Sequence, residues 1–345
     1  MPMIIFWRAS PWADSKKSVN WNEAIVMKQY IIQRISYSLM ILFLVSILIF
    51  VLGRALPGDP VQSALMSTGM GVVPDDVMEE FKVQFGLDKP LHVQYLLWIR
   101  GFVSGDWGTS IATGEEVLPM FMHRLPITLE LFLGSVFWSC IIGIPFGIIS
   151  ALRRNSWLDV SLTTSAIIGV SIPVFWEGIV MIYLFAVIMH IFPPSGYVPF
   201  SESIRGNLLS IAMPTFIMGT QGAGLLGRYV RSSLLEVLGH DYIRTAHAKG
   251  LSERMVIVRH ALKPAMIPVV TIAGLAWGYV VAGSFIVEYM FAIPGLGRMG
   301  VNAIFSNDFP VIQATLIMVA INILAVNLMV DLIYGVIDPR VRVQQ

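Results

Sequence analysis

Residues 228–263 read RYVRSSLLEVLGHDYIRTAHAKGLSERMVIVRHALK, and the reading of this stretch decides the fold. It carries Arg228, Arg231, Arg244, Lys249, Arg254, Arg259 and Lys263 against only Glu236, Asp241 and Glu253. On either side lies a run free of Asp, Glu, Lys and Arg, between residues 205 and 228 and between 263 and 288. A bilayer core about 30 Å thick is crossed by roughly 20 apolar residues in a helix, so each flanking run is long enough to span. The basic stretch is then a connection between two spans, and the positive-inside rule places it in the cytoplasm.

Working outward, further charge-free runs lie between residues 34 and 54, 130 and 153, and 308 and 331. Residues 159–202 are apolar apart from Glu177, and by composition alone they are either one long kinked helix or two spans. Charge parity chooses between these. Arg153 and Arg154 follow the second span, Arg340 and Arg342 follow the last, and the segment from 54 to 124 is acidic, with nine Asp/Glu against five Lys/Arg. With 228–263 and both termini inside, a single span must lie between 159 and 202. The expectation is an all-α membrane protein of six transmembrane helices with both termini cytoplasmic. After a first span inside 28–56, the spans read as about 128–152, 160–190 (with Pro173 beside Glu177), 208–229, 264–287 and 311–334.

Composition agrees with that class. Apolar residues make up 56% of the 345 and charged residues 13%, against about 25% charged in soluble domains. A net charge of +1 lacks the basic excess of a nucleic-acid binder. Cys140 stands alone, which rules out an intrachain disulfide and any zinc or iron–sulfur site built on cysteines.

Residues 1–27 mix Trp7, Trp12 and Trp21 with charges and lack the continuous apolar core of a signal peptide. They read as a cytoplasmic extension, with a true start at Met27 as the alternative; residues 28–345 form the transmembrane domain. The first span ends at 56–60 (LPGDP), which cannot continue a helix. Residues 61–124 form an extracytoplasmic segment with helical spacing at 75–85 and an amphipathic stretch at 91–103, followed by the loop 105–110. Gly143 and Gly147 in the second span permit close helix approach.

Within the basic connection, residues 239–263, two short helices are expected on either side of Gly250. Asp241 can cap the first, Gly250 suits a left-handed stop, and Ser252 can cap the second. The positive-inside rule is equally well met by a solvated basic loop. The residues nevertheless carry a resemblance. DYIRTAHAKGL at 241–251 and HALKPAMIPVVT at 260–271 are similar to the DYIRTAxAKGL and HALxxAxIPVVT of B-type permeases in the dipeptide/oligopeptide/nickel family of ABC importers. The same family is resembled at 56–60, 105–110, 128–131 (TLEL), 172–175 (IPVF), 294–297 (PGLG) and 327–340 (NLMVDLIYGVIDPR), in family order over about residues 28–342. Arg244 and Thr245 stand where the general importer motif has Glu and Ala, and Lys263-Pro264 replaces the usual Arg-Asn.

The resemblance implies the type I ABC importer permease fold and the function of a permease for peptides, with nickel chelates, glutathione or oligosaccharides as alternative cargo. It implies three kinds of partner: a second homologous permease, two ABC ATPase subunits and an extracytoplasmic solute-binding protein. It implies no cofactor. The ATPase-coupling residues it assigns are Asp241, Tyr242, Arg244, Thr245, Ala246, Ala248, Lys249, Gly250 and Leu251. Ala246 and Ala248 are expected to be small so that a partner can approach.

Other signals weigh less. The pattern 295–300 (GLGRMG) fits a dinucleotide fingerprint but reads as a connector turn, since no strand–helix unit surrounds it. The chain has no Gly-Lys-Ser/Thr and so no P-loop of its own. His240, His247 and His260 read as surface residues rather than metal ligands. Glu177 must face protein or water, as a pore residue, near the outer interface or in an interhelical hydrogen bond. Asn322, Asn327 and Asp331 read as interhelical, with a pore role open for Asn327 and Asp331. A stand-alone channel or secondary transporter is the rival class, and it would need buried ionisable groups beyond Glu177. No nucleophile–base or metal constellation supports an intramembrane enzyme.

Overall fold

A computed structural model describes the backbone of residues 15–55 and 88–337, with side chains placed over 28–53, 88–270, 273–274 and 284–332. The turn expected at 56–60 and the helix expected at 75–85 lie outside these residues, as do the side chains of 1–27.

Among the described residues ten principal helices follow in order: α1 Ser15–Ala55, α2 Leu91–Ser104, α3 Val117–Leu152, α4 Trp157–Ser171, α5 Val174–Met181, α6 Ile204–Leu238, α7 Asp241–Ala248, α8 Leu262–Met290, α9 Leu296–Phe305 and α10 Phe309–Ile337. A wide π-helical turn, Ile182–Ile188, prolongs α5, and a short turn Glu253–Met255 with a π-helical Val256–Ala261 leads into α8. Among the described residues the β-structure is a single isolated bridge, Thr109 to Glu116.

Among the described residues, four helices are long and apolar enough to cross a membrane (Lys28–Gly53 of α1, then α3, α6 and α10), and the bent pair α4–α5 makes five when counted as one span. The apolar side chains of α1, such as Phe43, Leu44 and Leu48, are more than half exposed, as are Phe137 and Ile141 on α3 and Ile179 and Val187 along α5. In water such a surface would drive aggregation; against lipid tails it has no hydrophobic penalty.

The central contact pairs α3 with α6. It forms because glycines remove the side chains that would hold the two backbones apart. A Cβ on Gly143 would sit 2.8 Å from the Ala223 carbonyl oxygen, and one on Gly147 would sit 2.5 Å from that of Gly227. A Cβ on Gly274 would collide with the Val330 side chain, so this glycine seats α8 on α10.

The long kinked helix expected over 160–190 is instead two helices, bent by 99° between α4 and α5. Pro173 provides the reason: it forces Ile172 to an extended conformation (ψ 126°) and cannot donate the next helical hydrogen bond. Gln221 of α6 then donates through Nε2 to the carbonyls of Gly169 and Ile172, at 3.2 and 3.1 Å, which the break would otherwise leave unmet. Pro264, expected at the start of a span, lies inside a continuous helical path. The π-helical turn directly before it widens the backbone where the proline ring would meet a carbonyl four residues earlier.

Candidate functional site

The basic connection folds as an outward-facing helix on a buried rib. Helix α7 follows α6 after only Gly239 and His240, and its Ile243 and Ala246 pack against Leu234 and Val237 of α6, Ala151 of α3, and Val256, Ala261 and Ala265 on the path into α8. The opposite face presents Asp241, Tyr242, Arg244, Thr245 and Ala248 to solvent. One core is thus shared by α7, α6 and the path into α8.

Ala246, expected at the approach face, is only 7% exposed and turned inward; its small size is required by its own chain. Ala248 stays exposed. Two capping expectations also change. The cap of α7 is His240, without a side-chain bond, while Asp241 is the first helical residue and pairs with Arg244 at 3.5 Å. Ser252 occupies the cap position before Glu253 but makes no capping bond either. The stop at Gly250 is as expected: φ is +76°, and its N–H donates to the His247 carbonyl at 2.9 Å. Lys249 is exposed beside it and Leu251 packs inward on the shared core. His247 places Nδ1 3.1 Å from the Ile243 carbonyl and Nε2 2.9 Å from Glu253, so it ties α7 to the next turn.

Directly behind α7 lies a group that the sequence reading passed over. Asp159 is 3% exposed and receives Arg231 Nε and Nη2 at 2.7 and 2.8 Å, a two-pronged pair between α4 and α6. The Asn155 N–H donates to the same carboxylate at 2.9 Å, and the Ser150 hydroxyl is bonded to it as well. The ends of α3, α4 and α6 are thus fastened at one carboxylate. A signal was available: Ser156 three residues before Asp159 is a capping-box spacing, and Ser156 Oγ accepts from the Asp159 N–H at 3.3 Å.

At the other end of the bundle, Glu288 is fully buried among neutral donors. Thr128 Oγ1 donates to it at 2.8 Å and the Arg298 backbone N–H at 3.0 Å, with Ser284 and the Gly297 N–H completing the set. Gly295 and Gly297 lie so close that a Cβ on either would collide with the carboxyl group. The glycine pattern at 295–300, expected as a connector turn, is instead the cap and first turn of α9, and the N–H groups of Gly297 and Arg298 cradle an anion of their own chain. Asp308 fastens the loop after α2 similarly, accepting from Ser110 Oγ and from the Ile111 N–H at 3.2 Å. Tyr197 donates to Glu130 at 2.7 Å; burial first and the Glu130 carboxylate second push its hydroxyl up to about 12, so it remains a donor at neutral pH.

Glu177 accepts from Thr220 Oγ1 at 2.9 Å, which makes it an α5–α6 link at the helix break. Asp331 pairs with Arg34 at 3.1 Å and joins α10 to α1. Asn327 is half-buried on the same helix. These three are dispersed and do not converge with the 241–251 residues.

The fold and this connection define a membrane component of an importer. The family model "Binding-protein-dependent transport system inner membrane component" matches residues 143–343, and the model of its N-terminal part matches 27–132. The chain belongs to this family and is a multi-pass inner-membrane protein. It is 39% identical over 318 residues to the oligopeptide transport system permease AppB of Bacillus subtilis, covering 91% of this chain and 99% of that one. It is 37% identical over 339 residues to the dipeptide transport system permease DppB of Escherichia coli, covering 92% and 99%. A solved structure titled as an inward-facing MetNI methionine ABC transporter shares the fold, with a TM-score of 0.54 at 20% identity over 64% of this chain and 96% of that chain.

Proposed function

We infer that the chain is the permease subunit of an ATP-driven importer, forming half of the translocation path for di- or oligopeptides handed over by a solute-binding protein. It pairs with a second, homologous permease and rests on two ATPase subunits. The peptide-permease names of its relatives support the cargo. The observation that carries the mechanism is the exposed face of α7, rigidly backed by a core shared with α6 and α8. ATPase closure would push that face, and both helices would move as one body, opening or closing the path. The chain itself does no covalent chemistry.

The topology proposed with this function is six spans, the sixth being α8, whose 29 helical residues include the charge-free run before Glu288. Both termini and residues 239–263 lie in the cytoplasm, residues 61–124 outside, and residues 1–27 form a cytoplasmic extension of the 28–345 transmembrane domain. Impermeant thiol labelling checks it: with Cys140 replaced, Asp106→Cys is labelled from outside and Gly250→Cys only after permeabilisation. External labelling of Gly250→Cys would end the six-span arrangement.

Coupling is tested on the exposed face alone. Ala248→Arg and Arg244→Glu leave the rib intact, so the complex assembles. ATP-driven peptide uptake in proteoliposomes falls at least tenfold, the equivalent of about 1.4 kcal/mol lost at a docking surface, and ATP hydrolysis loses its stimulation by loaded binding protein. Uptake at the wild-type rate in both variants would remove α7 as the coupling element.

A further inference from the structure

Between the start of α3 and the turn before α9, at the end opposite to α7, lies a recess of about 270 Å³. Arg124 and Arg298 both line it, with Ser110 and Asn302 nearby. Each guanidinium spends one donor on a backbone carbonyl: Arg124 Nη1 on Met120 at 2.9 Å and Arg298 Nη1 on Ala292 at 2.6 Å. These bonds fix the two side chains, and each guanidinium has five N–H donors in all. Among the described residues neither has a carboxylate partner. The carboxylate of Asp308 also borders the recess, but it is held by Ser110 and the backbone N–H groups of Ile111 and Ala112.

Met120, Arg124 and Pro294 also line an adjoining, wider groove of about 580 Å³. That groove adds Glu115, Glu116 and His123. Neither glutamate is paired with a cation among the described residues. Arg298 lines only the recess and Glu115 and Glu116 only the groove, with Arg124 at both, so the two adjoining hollows set guanidinium groups beside carboxylates. Recesses of this size take a small molecule rather than a protein face, and fixed guanidinium forks match a carboxylate.

We propose that Arg124 and Arg298 receive the terminal carboxylate of the peptide as it leaves the binding protein, with Glu115 and Glu116 facing its ammonium end. This rests on the importer reading above and adds the chemical feature that the permease itself selects. The carboxyl end of the peptide then lies beside Gly295 and the Glu288 cradle, whose donors are already occupied and do not compete.

The test uses the complete importer reconstituted with its binding protein, and compares a short peptide with its C-terminal amide. Wild-type uptake of the acid exceeds that of the amide, and in the Arg124→Gln/Arg298→Gln variant this ratio shrinks about tenfold because only acid uptake falls. A separate variant, Glu115→Gln/Glu116→Gln, removes the preference for a free amine over an N-acetylated peptide and so tests the acidic end even where the arginine variant fails to assemble. Loss of acid and amide uptake by the same factor would overturn the proposal and make the arginines a docking point for the binding protein. A wild-type importer that moves no peptide would overturn the importer reading itself, whereas peptide uptake with unchanged ratios in both variants overturns only this site.

Discussion

The two ends of the bundle hold buried carboxylates in opposite manners. Near α7, Asp159 is neutralised by a guanidinium from a different helix. At the far end, Glu288 and Asp308 are held by hydroxyls and backbone N–H groups, with no cation partner among the described residues. A cross-helix ion pair joins separate rods at their ends and fails as a unit when one partner is lost. The Glu288 cradle also joins helices, through Thr128 of α3, but it does so with neutral donors and beside glycines that leave no room for added volume.

The comparison breaks most clearly at Arg231. Arg231→Met strands a buried carboxylate, at a cost of about 3–5 kcal/mol, and the permease should fail to accumulate or lose its thermal transition in detergent. Adding Asp159→Asn should recover part of that stability, which a merely local packing defect would not allow. Next comes Gly295→Val, where the new side chain overlaps Glu288; overpacking of this kind costs about 1–3 kcal/mol, read as a lower melting temperature with the Asp159–Arg231 end intact. The smallest stability effect belongs to Gly250→Val. Nothing lies within 4 Å of its new Cβ, so only the left-handed backbone resists it, at about 1–2 kcal/mol. The protein should assemble while transport falls, because the turn into α8 is misplaced. Gly250→Asn, which tolerates φ of +76°, should restore most of it.

Much of this was legible in the chain itself. Runs without charge mark helices because burying a charge in hydrocarbon is expensive. Gly250 announced a left-handed stop, and Gly143 and Gly147 a close crossing, since both are consequences of a missing Cβ. The inward turn of Ala246, the pairing of Asp159 with Arg231 and the cradle around Glu288 were not legible. They join residues 72 and 160 positions apart, as for Asp159–Arg231 and Thr128–Glu288, and depend on which face of each helix meets its neighbour. Local periodicity determined the rods and their order. Only tertiary packing decided which small residues face a partner and which face the chain's own core, because a helix of mostly apolar residues carries no single stripe that says which side is inside.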